Sequence, residues 1–97
     1  MHVISKKPLR EFWEDHPDSE MPLKAWHAEV KKVEWRTWAD IKAKYGSADS
    51  LKEGRVVFNI GGNKFRLIVR VNYAVQVVYI RFIGTHADYD KIDANSV

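Results

Sequence analysis

Near residue 50 the apolar pattern of this chain changes period, and that change restricts the fold more than any other feature. Before it, apolar residues recur every three to four positions, the spacing that lines one side of a helix. After it they alternate and are largely β-branched or aromatic, the pattern of half-buried strands. A helical half followed by a strand half implies an α+β fold, with helices gathered on one face of an antiparallel sheet, rather than a repeating βαβ unit. At 97 residues the chain is long enough for one such core and too short for two.

In the first half, Leu9, Phe12 and Trp13 define a stripe on a helix from about Lys6 to Asp15, with Pro8 tolerated in its first turn and Pro17 ending it. Asp18 and Ser19 are good capping residues and Pro22 suits a first turn. Leu23, Trp26, Val30 and Val33 then carry a second helix up to Glu34. Trp38, Ile41 and Tyr45 predict a third, short helix capped by Thr37 and stopped at Gly46, followed by a loop over Ser47–Lys52. Trp13 and Trp26 fall on apolar stripes and are expected in the core. Trp35 and Trp38, at a helix junction, would mark a partner surface if exposed.

Three strands are expected in the second half, over Arg55–Ile60, Asn63–Val71 and Val75–Ile83, with His2-Val3-Ile4 as a short additional edge strand. A two-residue turn at Gly61-Gly62 would pair Phe58 with Phe65 and Val56 with Leu67. A turn centred on Ala74-Val75 would pair Leu67 with Phe82, Val69 with Ile80 and Val71 with Val78. Alternation then places Arg55, Val57, Asn59, Lys64, Arg66, Ile68, Arg70, Val77, Tyr79, Arg81 and Ile83 on the opposite face, which is expected to be open and basic.

Charge distribution supports that reading. The net charge of +3 hides a balanced first half, with nine basic and nine acidic residues in 1–50, and a run from Gly54 to Ala87 with five basic residues and no acidic one. Such a local excess suggests a polyanionic partner. Lys31, Lys32, Lys42 and Lys44 read as solvated helix faces that could also extend a phosphate track. The absence of cysteine excludes disulfides, thiolate nucleophiles and sulfur-based zinc sites. With no apolar run near membrane-spanning length and no signal-like N-terminus, the expected location is the cytoplasm.

The candidates for chemistry follow from that surface. Arg66, Arg70 and Arg81 on adjacent strands can bind phosphate oxygens through paired donors, and Tyr79 among them offers a ring on which a base can stack. Arg55 and Lys64 would extend the phosphate contacts. After the last strand, Thr85-His86-Ala87-Asp88-Tyr89-Asp90 places an imidazole and a phenol three residues apart. With the arginines these groups could cleave a phosphodiester through a neighbouring 2′-hydroxyl, without a metal. Packing of Tyr89 and a carbonyl bond to His86 would be the purely structural alternative. A metal site at His86, Asp88 and Asp90 is disfavoured, since alternate positions need extended backbone to converge and Lys91 opposes a cation. His2, His16 and His27 fall in no catalytic cluster.

The runs Val57-Phe58-Asn59-Ile60-Gly61-Gly62-Asn63-Lys64-Phe65-Arg66-Leu67-Ile68 and Val78-Tyr79-Ile80-Arg81-Phe82-Ile83-Gly84-Thr85-His86-Ala87-Asp88-Tyr89-Asp90 strongly resemble HigB-family toxins of type II toxin–antitoxin systems. His16-Pro17-Asp18, Pro22-Leu23-Lys24-Ala25-Trp26 and Trp35 extend the resemblance over nearly the whole chain. It implies a single RelE-like toxin domain over residues 1–97 and metal-independent cleavage of messenger RNA, commonly on the translating ribosome. It also implies neutralisation by a HigA-type helix-turn-helix antitoxin, through which alone operator DNA would be contacted. Carried over by position, it singles out Arg66, Arg70, Arg81, His86 and Tyr89, with no cofactor. RelE-like enzymes do not share one catalytic set, and some HigB branches place two histidines at the site where this chain offers His86. The rival readings are a non-catalytic RNA-binding module and a degenerate toxin that only binds its antitoxin.

Overall fold

The computed structural model describes all residues from Met1 to Val97. Its elements are β1 (His2–Ile4), α1 (Lys7–Asp15), α2 (Glu20–Lys32), α3 (Trp38–Lys44), β2 (Asp49–Ser50), β3 (Arg55–Ile60), β4 (Phe65–Asn72), β5 (Val77–Thr85) and α4 (His86–Tyr89), with 3₁₀ turns at Pro17–Ser19 and Lys52–Gly54. The strands form one sheet in the order β1-β5-β4-β3-β2. Helices α1 to α3 pack on its inner face, so the α+β class expected from the sequence is the class observed.

The core forms where the helical stripes meet the inner strand residues. Leu9, Leu23, Trp26, Val30 and Ile41 are buried against Val56, Phe58, Leu67, Val69 and Val78. Each such side chain contributes roughly 1.5–3 kcal/mol by leaving water. Phe58 is the centre of an aromatic cluster, with Trp26, Trp35 and Tyr45 rings at 5.5, 6.2 and 5.1 Å. Trp35 is therefore core, and Trp38 is half-buried against it. The partner surface conditionally assigned to these two tryptophans does not exist, because the α2–α3 junction folds onto Phe58 instead of standing clear of it.

The sheet departs from expectation in several ways, each with a local cause. It is mixed rather than wholly antiparallel, since β1 pairs in parallel with β5, Ile4 opposite Tyr79. The expected loop at Ser47–Lys52 contains β2, which pairs with β3. The first hairpin closes through four residues, Gly61–Lys64, with φ of +63° and +71° at the two glycines. Phe58 therefore faces Leu67 and Val56 faces Val69. That slip of two residues keeps every side chain on its expected face.

The second hairpin is different. Val71–Val78 and Val69–Ile80 pair as expected, but Ile68 meets Phe82 and Leu67 meets Ile83, which leaves Arg81 as the extra residue of a bulge. Beyond it the faces exchange. Phe82 turns outward and Ile83 joins the inner core. A Cβ at Gly84 would lie 2.6 Å from the Phe82 ring, so the bulge also accounts for glycine at that position.

The outer face is only partly open, which corrects the expectation of an uncovered basic surface. Residues after α4 fold back along it. Lys52 N–H donates to Asn95 Oδ1 (2.9 Å), and Arg55 Nε donates to the Val97 carbonyl (2.8 Å). On the same face Val57 and Ile68 are buried, outside the main core.

Candidate active site

The eight residues singled out from the sequence fall into three groups. At the hairpin end of the outer face, Arg66 is held rigidly. Its Nη1 donates to the carbonyls of Asn63 (3.2 Å) and Phe65 (3.3 Å), its Nη2 donates to Asn63 Oδ1 (2.8 Å), and its guanidinium lies 5.9 Å from the Tyr89 ring centre. Only 9% of Arg66 is exposed, so a desolvated cation sits beside a phenol.

Helix α4 brings His86 to the same end. Its backbone N–H donates to the Lys64 carbonyl (3.1 Å), which ties the helix start to the hairpin. Thr85 and Asp88 close the first turn reciprocally, Asp88 N–H to Thr85 Oγ1 (3.1 Å) and Thr85 N–H to Asp88 Oδ2 (3.2 Å). Donation to it from the Thr85 backbone N–H, and then from the Thr85 hydroxyl, holds the Asp88 carboxyl below its ordinary range. His86 Nδ1 lies 3.1 Å from Asp90 Oδ2, one turn on. A carboxylate only accepts, so Nδ1 carries the hydrogen, which in the neutral imidazole leaves the lone pair on Nε2. Asp90 is the partner of His86 that sequence reasoning missed, although the i, i+4 spacing was the signal for it.

Lys64 reaches across to Asp18 (3.4 Å), so the Pro17–Ser19 turn borders this end as well. His16, beside that turn, stacks on Phe12 at 4.2 Å, with Nδ1 3.3 Å from the Phe12 carbonyl. It packs as a partnered ring outside any catalytic cluster, as expected.

The second group is Arg70, Tyr79 and Arg81. Together with Glu53, Asn72 and Tyr73 they line an open cleft of about 640 Å³ at the other end of β4 and β5. Arg70 Nε donates to the Glu53 carbonyl (3.1 Å), and Arg70 and Tyr79 are directly paired. The bulge aims Arg81 into this cleft. Arg66 and Arg70 are four strand residues apart, about 13 Å at the usual rise. The arginines therefore form a track along the outer face and not a single cluster around the imidazole.

Arg55 stands alone. It is 8% exposed and bonded to the Val97 and Lys52 carbonyls and to Glu53 Oε2 (3.1 Å). The structure places it under the C-terminal segment rather than on the exposed track. No cluster of three or more metal-ligating residues is present, and Asp88 and Asp90 are occupied by Thr85 and His86.

Comparison with known proteins bears on this geometry. Residues 19–92 match the sequence model of a family described as "HigB_toxin, RelE-like toxic component of a toxin-antitoxin system". The mRNA interferase toxin HigB of Escherichia coli K12 is 34% identical over 96 residues, covering 97% of this chain and 92% of that protein. The mRNA interferase HigB of Shigella flexneri aligns with the same identity and coverage. That of E. coli O6:H1 strain CFT073 is 28% identical over 94 residues, covering 95% and 91%.

Proposed function

The chain belongs to the HigB family of RelE-like toxic components of toxin–antitoxin systems, and on that premise we propose that it is an endoribonuclease that cleaves messenger RNA on the outer face of its sheet. The observation that carries the reading is the juxtaposition of Arg66, Tyr89 and an Asp90-oriented His86 at one end of a track of exposed arginines. Relatives named mRNA interferases supply the substrate class.

The 2′-hydroxyl oxygen attacks the adjacent phosphorus and gives its proton to His86 Nε2, while the bond from phosphorus to the 5′-oxygen breaks. The leaving 5′-oxygen takes up a proton from solvent water, and a 2′,3′-cyclic phosphate remains. At the scissile linkage Arg66 holds a phosphate oxygen and meets the charge that builds on the phosphoryl group, and Tyr89 orients the attacking hydroxyl, while Arg81, in the cleft at the other end of the track, holds a phosphate further along the strand. Lys64, Arg70 and Tyr79 extend the grip on the strand, the last by stacking. The partner is a HigA-type helix-turn-helix antitoxin, and the cut is made in the cytoplasm on the translating ribosome. No helix of the chain is long and apolar enough to cross a membrane.

Induced expression tests this reading. The parent protein is expected to arrest growth and produce new RNA 5′ ends, with rescue by the co-expressed antitoxin. His86→Ala and Arg81→Ala proteins that remain folded are expected to do neither. Arrest at the parental rate by both variants would remove the site assignment, and salt-sensitive RNA binding without new ends would favour a non-catalytic module.

A further inference from the structure

A second cationic surface lies on the helix side, where the cleavage site does not reach. Three contiguous depressions share Lys31 at the C-terminal end of α2. Lys6 and His27 border two of them, and Lys32, Val33 and Val75 line the largest, of about 520 Å³. The ion pairs of the chain include none of Lys6, Lys31 and Lys32. His27 reports the uncompensated charge: burial, then Lys6 and Lys31, hold its imidazole below the ordinary range. The one carboxylate lining the depressions, Glu34, is paired with Arg36.

The chemistry of this groove differs from that of the outer cleft. It contains lysines and no arginine, so it lacks paired donors for phosphate, and no Phe, Tyr or Trp ring lines it. It does expose apolar surface, with Val75 60% accessible at its rim beside the half-buried Met1 and Val33. It also adjoins β1, whose outer edge has no neighbouring strand. Carboxylates for the lysines, apolar side chains for Val75 and Val33, and a backbone able to follow a strand edge are the attributes of an acidic, partly apolar polypeptide segment and not of RNA.

We propose that the groove between the end of α2, β1 and the β4–β5 turn docks an acidic, partly apolar segment of the antitoxin. The partner's existence rests on the family reading above, whereas the location rests on the groove alone. The Tyr73–Gln76 turn separates it from the outer cleft, so an occupant would hold the antitoxin beside the RNA track without entering it.

The test uses the full chain and its purified cognate antitoxin in titration calorimetry, with Lys32→Glu and Val75→Asp variants and Lys44→Glu as a charge-matched control on α3. Lys32, Val75 and Lys44 are all exposed, so folding is not at risk. Lys32→Glu and Val75→Asp are expected to weaken antitoxin binding at least tenfold, with parental RNA cleavage by the antitoxin-free protein. Lys44→Glu is expected to weaken it less than threefold. Binding of both groove variants at the control level would overturn the proposal, as would loss of oligouridylate binding with antitoxin affinity intact. If the parent itself binds no antitoxin, the family reading falls and takes the groove with it, a result distinct from failure of the variants alone.

Discussion

Arginine carries the charge of the outer sheet face, and lysine carries that of the groove beside α2. Arg66 is buried, fixed by three hydrogen bonds and set against an aromatic ring, so its position is determined before any ligand arrives. Lys31 and Lys32 are exposed and unpaired, at the end of a helix whose dipole their charge complements. A fixed cation can meet charge that appears only in a transition state, whereas a mobile one contributes mainly to encounter and affinity. The contrast assigns chemistry to the sheet and partner recognition to the helices, and each half of it can be broken separately.

The largest effect is expected at Arg66. An Arg66→Lys protein keeps the charge but loses the paired donors and the planar group over Tyr89, so single-turnover cleavage should fall about 10²- to 10³-fold. Antitoxin affinity should stay parental. If the lysine variant cleaves at the parental rate, charge alone suffices and the distinction between the two surfaces fails.

A smaller effect is expected where an arginine of the same face serves structure. Arg55→Ala leaves the Val97 and Lys52 carbonyls without their donor and Glu53 without its partner, at a cost of about 1–3 kcal/mol in urea unfolding. Amide exchange over residues 90–97 should quicken first, with RNA affinity at low salt little changed. A proportionate loss of RNA binding in a stably folded variant would return Arg55 to the phosphate track.

The smallest effect sharpens the comparison through pH. Asp88 is held ionised by Thr85, so its contribution to α4 is complete at neutral pH and above the ordinary carboxylate range. It is lost as pH falls through the lowered value of the folded protein. Amide exchange at α4 should therefore accelerate in acid before exchange in α2 does. Asp88→Asn should exchange faster at neutral pH and lose that acid response, and an unchanged acid response in the variant would show that another group controls the helix.

How much of this was legible in the sequence depended on parity. The two-residue slip at Gly61–Lys64 preserved every face assignment on β3 and β4, so Arg66 and Arg70 were placed outward correctly despite the wrong pairing. A one-residue bulge at Arg81 does not preserve parity, and no turn residue or proline marks it. It reversed Phe82 and Ile83 and steered Arg81 toward the far cleft. The C-terminal segment hid for another reason: Ile92, Ala94 and Val97 are too sparse to show a period, yet the segment that carries them bonds to Lys52 and Arg55 on the outer face. Burial of Arg55 could not be read without that segment. Trp35 was ambiguous because it belongs to no helix, and only the tertiary position of Phe58 makes it core.

Replacing one ribose by 2′-deoxyribose at a mapped cut in a synthetic messenger RNA tests the central claim most directly, with products resolved by end chemistry. Cleavage is expected to vanish at that linkage alone, while unmodified RNA yields 5′-hydroxyl and 2′,3′-cyclic phosphate ends. Continued cutting at the deoxy position, or 5′-phosphate products from the unmodified strand, would contradict attack by the 2′-hydroxyl and the role assigned to His86.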